Sequence, residues 1–271
     1  MIHLKSQEAI EAIRKSCMIV CGALQVVAEN IGPGVKGTTI DEMAESYIRD
    51  QGALPGFKGY NGFPATLCVS VNECVVHGIP NDKEFQEGDI VSVDCGSLLD
   101  GYYGDSAFTF AIGEIDQEVK KLLEVTNQAL YLGIEAAKKG NRIGDIGFAV
   151  QNFTEGQHGY SVVRELVGHG IGQSLHEAPE VPNYGKRGRG PKIKEGLVIA
   201  IEPMINLGRK EITMDSDGWS IITRDRKPSA HFEHTIAITK DGPIRLTGPP
   251  NDEELKDLPD WLHDQSQWVI W

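Results

Sequence analysis

Four acidic residues stand at the ends of apolar segments that have the composition of buried β-strands. Two of them end such a segment and two precede one: Asp94, Glu202, Asp105 and Glu233. A fifth candidate, His169, lies between two glycines, which are expected to leave backbone room for a metal to approach. A carboxylate at the buried end of a strand is costly unless a positive charge neutralises it. Two divalent cations would neutralise four carboxylates, so these residue types predict a paired-metal site in a metal-dependent enzyme.

The acidic strands belong to an internal repeat. Residues 87–94 align without a gap on residues 195–202, an offset of 108 residues that places Asp94 on Glu202. In both copies bulky apolar residues alternate with small ones, so one face of each strand is apolar and the other ends in an acid. A His-x-x-Pro motif precedes each copy. The repeat predicts one fold made of two similar halves.

Capping residues and three- to four-residue apolar spacing predict a pair of helices at the start of each half. Ser6 predicts the start of the first helix, and Thr39 with Glu42 has the capping-box pattern for the second. Asp116 and Asp145 are the corresponding predicted caps in the second half.

A hairpin is predicted between the first two acids. Asp100-Gly101 is typical of a two-residue turn between antiparallel strands. Such a turn places Asp105 opposite Gly96 and diagonal to Asp94 on the same face. The two aspartates are therefore expected to reach one ion from adjacent strands.

Length and composition are those of a globular cytoplasmic protein. The 271 residues, 40% of them hydrophobic, can form a large core without disulfides. The five cysteines have scattered spacings, which indicates a reducing compartment. We find no apolar run that suits a signal peptide or a membrane span. A net charge of −13 argues against broad nucleic-acid binding, so neither a membrane nor specific DNA is an expected partner.

One segment departs from the acidic balance. Residues Lys186 to Lys194 include five basic side chains in nine positions. The segment lies between His176 and Glu202 in the sequence, so it is expected near the site. It is either a solvated loop or a surface that contacts RNA or an acidic peptide, and ribosome contact is the specific form of the second interpretation.

Several motifs together resemble the type I methionine aminopeptidases. They are Val76-His77-Gly78-Ile79-Pro80, Val167-Gly168-His169-Gly170-Ile171-Gly172, Ile201-Glu202-Pro203-Met204, Asp217-Gly218-Trp219 and Phe232-Glu233-His234-Thr235. The resemblance implies an α+β pita-bread fold, with two pseudo-symmetric halves around a curved antiparallel sheet and helices on the outside. The catalytic domain would be residues 1–248. Residues 249–271 would be a tryptophan-rich C-terminal extension of unknown role, which either packs on the domain or binds a partner.

The resemblance also implies a role for each of the five candidate ligands. Asp94 would bind one divalent ion, and His169 with Glu202 would bind the other. Asp105 and Glu233 would bridge the two ions, which would share the water or hydroxide that attacks the first peptide bond. Glu202 would also accept the proton of that water. Mn, Fe, Co and Zn all suit this donor set, so the metal stays open.

Further residues are implied around the substrate. His77 would contact the nitrogen of the scissile peptide and His176 its carbonyl oxygen, where a donor stabilises the tetrahedral intermediate by ~3 kcal/mol. The implied substrate-binding set is Tyr60, Phe63, Cys68, His77, His176 and Trp219, whose rings and thiol suit a thioether. Backbone carbonyls near Asn72, Cys74 and Ser229 would hold one monovalent cation.

The implied function is removal of the N-terminal methionine from new proteins, with N-terminal Met peptides and nascent chains as partners. A prolidase or another proline-directed aminopeptidase shares the five ligands, but those relatives carry an extra domain before the catalytic one. A metal-free interaction module of the same fold would have lost ligands. Lone histidines are more often core or surface groups, so no role is given to His3, His158, His231 and His263.

Overall fold

The computed structural model describes residues 1–248, and the predicted C-terminal extension lies outside the described residues. The helices are α1 (Gln7–Asn30), α2 (Gly37–Asp50), α3 (Gln117–Ala136) and α4 (Ile143–Gln151), which continues as a π-helical turn (Asn152–Gln157). The strands of the first half are β1 (Leu54–Pro55), β2 (Leu67–Val71), β3 (Cys74–Val76), β4 (Ile90–Leu99) and β5 (Tyr102–Ala111). The strands of the second half are β6 (Ser161–Val162), β7 (Gly168–Gly170), β8 (Glu177–Val181), β9 (Val198–Ile201), β10 (Met204–Asn206), β11 (Ile212–Met214), β12 (Ile221–Thr223), β13 (Ser229–His231), β14 (His234–Ile238) and β15 (Pro243–Arg245).

The predicted start of α1 is confirmed, whereas the predicted start of α2 is wrong. Ser6 caps α1 as predicted, because its hydroxyl accepts the backbone N–H of Ala9. Helix α2 begins at Gly37, with Lys36 as its cap residue and no side-chain cap, so the predicted capping box at Thr39 is wrong. Lys36 forms a β-bridge with Glu84, and this pairing sets the cap position three residues before Thr39.

The predicted caps of the second half are right in one position and wrong in the other. Asp116 occupies the cap position of α3, although its side chain makes no capping bond. Helix α4 begins at Ile143, before Asp145, so Asp145 is not the cap. Its carboxylate instead accepts the backbone N–H groups of Arg142 and Gly188, both at 2.8 Å. Asp145 therefore joins the helix start to the basic loop 186–194.

The described residues form two three-stranded sheets, β13–β10–β6 and β11–β12–β3, and two larger antiparallel sheets, one from each half of the chain and each with a helical pair packed against it. The first larger sheet has the order β1–β4–β2 with β5 beside β4, and the second has the order β15–β14–β9–β7–β8. Helices α1 and α2 enclose a core that includes Leu24, Ile40 and Val93, all fully buried. Helices α3 and α4 enclose the equivalent core, which includes Ile146 and Ile199. Burial of such side chains contributes roughly 1.5–3 kcal/mol each.

The two acid-bearing strand pairs occupy equivalent places in the two sheets. Strand β4, which contains Asp94, pairs with β5, and strand β9, which leads into Glu202, pairs with β14. The turn between β4 and β5 is Asp100-Gly101, and it places Gly96 directly opposite Asp105. Both the predicted hairpin and the predicted repeat of acid-bearing strands are therefore confirmed.

Side-chain and backbone hydrogen bonds join the two sheets where β5 meets β14. Ser106 donates its hydroxyl to the carbonyl of Glu233 (2.7 Å), and the N–H of Glu233 donates to the carbonyl of Ala107 (2.9 Å). Thr235 donates its hydroxyl to the carbonyl of Asp105 (2.8 Å). These bonds fix two acids from opposite halves against each other.

Two expectations, one about membrane spans and one about disulfides, can be compared with the described residues. No helix within residues 1–248 is long and apolar enough to cross a bilayer. The cysteines at positions 17, 21, 68, 74 and 95 are all unpaired.

Candidate metal centre

The predicted divalent-metal, catalytic and substrate-binding residues all surround one cavity of about 150 Å³ between the two larger sheets. The lining residues are Phe57, Tyr60, Asn61, Phe63, Cys68, His77, Asp94, Asp105, His169, Leu175, His176, Glu202, Trp219 and Glu233. The acids come from β4, β5, and the ends of β9 and β14, while His169 comes from β7. The sequence prediction did not include Asn61 and Leu175, although Leu175 directly precedes His176.

The side chain of His169 lies at the centre of the acidic cluster. Its Nε2 atom is 3.4 Å from Glu202 Oε1 and 3.7 Å from Asp105 Oδ2. Asp105, His169 and Glu233 each offer one ligand atom, and these atoms all lie within 4.8 Å of one another. This spacing allows a single ion to contact the three side chains.

The ring of His169 is oriented for metal binding. Its Nδ1 atom lies 2.9 Å from the Gly170 carbonyl, an acceptor, so Nδ1 carries the proton and Nε2 presents its lone pair to the acids. Desolvation and the nearby His176 lower the pKa of His169 to about 4, which keeps the ring neutral at physiological pH. A neutral imidazole fixed by a carbonyl through its other nitrogen is the usual form of a metal ligand.

The glycines beside His169 have a different purpose from the one expected. The sequence suggested that they leave room for the metal to approach. A Cβ atom on Gly168 would lie 2.4 Å from the carbonyl of Ala200, and one on Gly170 would lie 2.5 Å from that of Ala178. The glycines therefore allow β7 to lie close against its neighbouring strands, and this packing positions the His169 side chain.

The four carboxylates are buried together, and no lysine or arginine side chain of residues 1–248 lines their cavity. Burial raises the pKa of Asp94 to about 7, although a hydrogen bond from Asp105 opposes the rise. Burial, and then repulsion by the other acids, raises the pKa values of Asp105, Glu202 and Glu233 well above their ordinary range. Ionisation of these acids together would concentrate negative charge in a place where water cannot screen it.

Unpartnered oxygen atoms show that this cluster fits divalent metal ions. Among the described residues, Asp94 Oδ1, Asp105 Oδ1 and Glu233 Oε1 are buried and accept no hydrogen bond. A buried polar atom without a partner costs about 1–3 kcal/mol, and more when it is charged. Oxygen ligands with one imidazole suit divalent ions of intermediate hardness. The chemistry of this donor set therefore fits a divalent metal ion.

Two further histidines lie on the cavity wall. The ring of His176 is 4.3 Å from that of His169, centroid to centroid, and its Nδ1 atom is 2.9 Å from the Tyr60 hydroxyl. His77 has a left-handed backbone (φ 60°). The next residue, Gly78, passes so close to β2 that a Cβ atom there would lie 2.2 Å from the carbonyl of Val69. This close passage fixes the loop that carries His77.

An apolar pocket adjoins the acids. Phe63 and Trp219 meet edge to face with ring centroids 5.2 Å apart. Cys68 lies opposite Asp94 in the pairing of β2 with β4, and burial followed by repulsion from Asp94 raises the pKa of its thiol well above its usual range. The thiol is therefore protonated and contributes a polarisable apolar surface.

His231 was given no role in the sequence analysis, yet it lies beside the acids. It is 1% exposed, and its Nε2 atom is 3.8 Å from Glu202 Oε2. Within the described part of the chain, that Nε2 atom has no hydrogen-bond partner. Its spacing could have pointed to it, because His231 stands two positions before Glu233, the separation that places side chains on one face of a continuous strand.

The basic loop does not line the cavity. Residues 186–194 are exposed except for Ile193, and none of them lines the cavity. The loop packs on the start of α4 instead, where the carbonyl of Arg189 accepts the N–H of Gly144 and the Arg187 guanidinium lies over the ring of Phe148.

Comparison with known proteins agrees with the fold and the site. A family model described as metallopeptidase family M24 matches residues 11–240. Methionine aminopeptidase of Clostridium perfringens is 47% identical over 247 residues, which is 91% of this chain and 99% of that protein. Methionine aminopeptidase 1 of Bacillus subtilis is 48% identical over 242 residues, 89% of this chain and 97% of that protein. The crystal structure of methionine aminopeptidase from Rickettsia prowazekii superimposes with a TM-score of 0.90 at 39% identity, covering 92% of this chain and all of that one.

The chain belongs to metallopeptidase family M24. Within that family its relatives at this identity are methionine aminopeptidases of the bacterial type I form. The predicted pita-bread fold is confirmed, and so is the prediction of a metal-dependent methionyl aminopeptidase rather than a prolidase or a metal-free module.

Proposed function

We propose that the cavity binds two divalent ions through Asp94, Asp105, His169, Glu202 and Glu233, and that the protein releases N-terminal methionine there. One observation carries this proposal: within residues 1–248, three buried carboxylate oxygens have no hydrogen-bond partner, and two of these acids, Asp105 and Glu233, place ligand atoms within 4.8 Å of each other and of a His169 ring nitrogen. When bound, two such ions would polarise the scissile carbonyl and lower the pKa of a nearby water molecule.

The protein supplies the proton transfer and the orientation of the peptide. Glu202 would accept the proton of the attacking water, since its carboxylate adjoins His169 and faces the cavity. Burial raises the pKa of Tyr60, so its hydroxyl stays protonated, and we assign that hydroxyl as the donor to Nδ1 of His176, 2.9 Å away. The opposite nitrogen of His176 then carries a proton and can donate to the peptide carbonyl. Such a donor contributes ~3 kcal/mol to stabilisation of the tetrahedral intermediate.

Substrate choice would depend on the apolar pocket. Tyr60, Phe63, Cys68 and Trp219 present rings and a protonated thiol to the cavity, and a thioether side chain makes favourable contacts with both. The second wall histidine, His77, would contact the nitrogen of the scissile bond. The free amino group of the substrate would lie near the acids, whose charge favours a cation.

The test is peptide hydrolysis by protein that has been stripped of metal and refilled separately with Mn, Fe, Co and Zn. We expect methionine release from Met-Ala-Ser only after metal is added, and no cleavage of Ala-Pro. Asp94→Asn should lose this activity, whereas Glu118→Gln, a change at an exposed acid on α3, should retain it. Metal-independent release, or cleavage confined to Xaa-Pro, would overturn the proposal.

Finer proposals concern the surroundings of the site. A monovalent cation would bind near Asn72, Cys74 and Ser229, where the Ser229 N–H donates to the Asn72 carbonyl at 2.9 Å; a potassium-dependent rise in melting temperature would support it. The basic residues of Lys186–Lys194 would contact ribosomal RNA in the cytoplasm. Co-sedimentation with ribosomes, lost when those residues become serine, would support the contact.

A further inference from the structure

The two oxygen atoms of Glu202 face two different histidines. Oε1 is 3.4 Å from Nε2 of His169, the proposed metal ligand, while Oε2 is 3.8 Å from Nε2 of His231. We propose that His231 is a positioning residue, which donates its Nε2–H to Glu202 Oε2 and so directs Oε1 toward the metal. This proposal rests on the proposed role of Glu202 as a metal ligand.

The backbone of His231 is held firmly from the opposite half of the molecule. Its N–H donates to the hydroxyl oxygen of Thr109 (3.0 Å), and that hydroxyl donates to the carbonyl of His231 (2.7 Å). The residue also pairs with Met204 between β13 and β10, two positions after Glu202. The backbone that carries the ring is therefore held against β10, which begins two residues after Glu202.

No other partner among residues 1–248 competes for the Nε2 atom of His231. The ring can present an N–H from this atom whether it is neutral or charged. The gap of 3.8 Å is longer than a hydrogen bond, and a small rotation of the Glu202 carboxylate closes it. An ion held by Oε1 and by Nε2 of His169 would leave Oε2 as the oxygen that faces the His231 ring.

The contribution of a residue that orients a metal ligand is measured as a change in the protein's affinity for the metal. Loss of such a contact typically weakens metal binding by about 10- to 100-fold. The matched pair of variants is His231→Leu, which removes the donor, and His231→Gln, which keeps a side-chain N–H in the same place. A residue that only fills space would make the two variants behave alike.

The experiment is calorimetric titration of Mn²⁺ into the full-length, metal-stripped protein. We expect His231→Leu to weaken binding of one Mn²⁺ equivalent by about 10- to 100-fold, and His231→Gln to stay within a few-fold of the unchanged protein. Equal affinity in all three proteins, or equal loss in both variants, would overturn the proposal. Failure of the unchanged protein to bind two Mn²⁺ ions would instead refute the proposed function.

A second measurement covers the case in which His231→Leu does not fold. Nitrogen NMR of the Zn²⁺-loaded protein, with labelled histidine, reports which ring nitrogen of His231 carries the proton. A protonated Nε2 is expected. An Nε2 atom without a proton could not donate to Glu202 and would overturn the proposal by itself.

Discussion

Removal of metal should make the protein less stable as the pH rises, which is the reverse of ordinary acid denaturation. The cause is the group of buried acids. In the metal-free folded state they retain protons that the unfolded chain has already lost. A carboxylate with a raised folded-state pKa contributes stability that is complete below its unfolded pKa and is lost as the pH rises toward the folded one.

The expected magnitude follows from Asp94. Burial raises its pKa to about 7, against about 3.9 for an exposed aspartate. A difference of about three units corresponds to about 4 kcal/mol, lost between roughly pH 4 and pH 7. Burial also raises the pKa values of Asp105, Glu202 and Glu233. Because whole domains are stable by only about 5–15 kcal/mol, the effect is large.

The assay is urea unfolding at pH 5.5 and pH 8, with chelator or with saturating Mn²⁺. We expect the chelated protein to be less stable at pH 8 than at pH 5.5, and Mn²⁺ to add more stability at pH 8. Asp94→Asn should be more stable than the unchanged protein at pH 8 in chelator, while gaining less from Mn²⁺. Chelated protein that is equally stable at both pH values, together with an unaltered Asp94→Asn variant, would refute the reasoning.

Three substitutions test how the site is positioned. Tyr60→Phe removes the hydrogen bond to His176, so kcat for Met-Ala-Ser should fall about two- to tenfold with little change in KM; an unchanged kcat would contradict the proposed orientation of the ring. Gly168→Ala should lower the free energy of unfolding by about 1–3 kcal/mol and weaken Mn²⁺ binding, because its methyl group meets a strand carbonyl, whereas Gly32→Ala, where nothing lies within 4 Å, should do neither. Trp219→Ala opens the apolar pocket, so KM for Met-Ala-Ser should rise about tenfold or more; equal KM values would show that the pocket lies elsewhere.

The acids could be identified from the sequence because the free-energy cost of burying them is evident from the neighbouring residues alone. A carboxylate at the end of an apolar strand is easily recognised in the amino-acid sequence. The hairpin at Asp100-Gly101 predicts the register that places Asp105 diagonal to Asp94, and the structure has this register. The repeat placed Glu202 in the equivalent position. Period-two alternation and a two-residue turn leave little freedom in register, which is why these predictions are confirmed.

The predictions that were wrong concern features set by contacts between distant parts of the chain. Thr39 has the local pattern of a cap, yet pairing of Lys36 with Glu84 sets the start of α2. The space beside Gly168 is taken by a strand 32 residues later in the chain, at Ala200. No local pattern reports either contact.

His231 was dismissed for a different reason. A lone histidine is usually a structural group, and its distance to Glu202 depends on how β13 pairs with β10. The two-residue spacing from Glu233 was the one local signal, and it becomes informative only once Glu233 is known to face the metal.

The most direct test of the account is an anomalous-scattering map from crystals of the full-length protein grown with Mn²⁺. We predict two peaks about 3.5–4 Å apart inside the cavity, bound by Asp94, Asp105, His169, Glu202 and Glu233. Full occupancy of Mn²⁺ elsewhere with no peak among these five side chains would contradict the central claim.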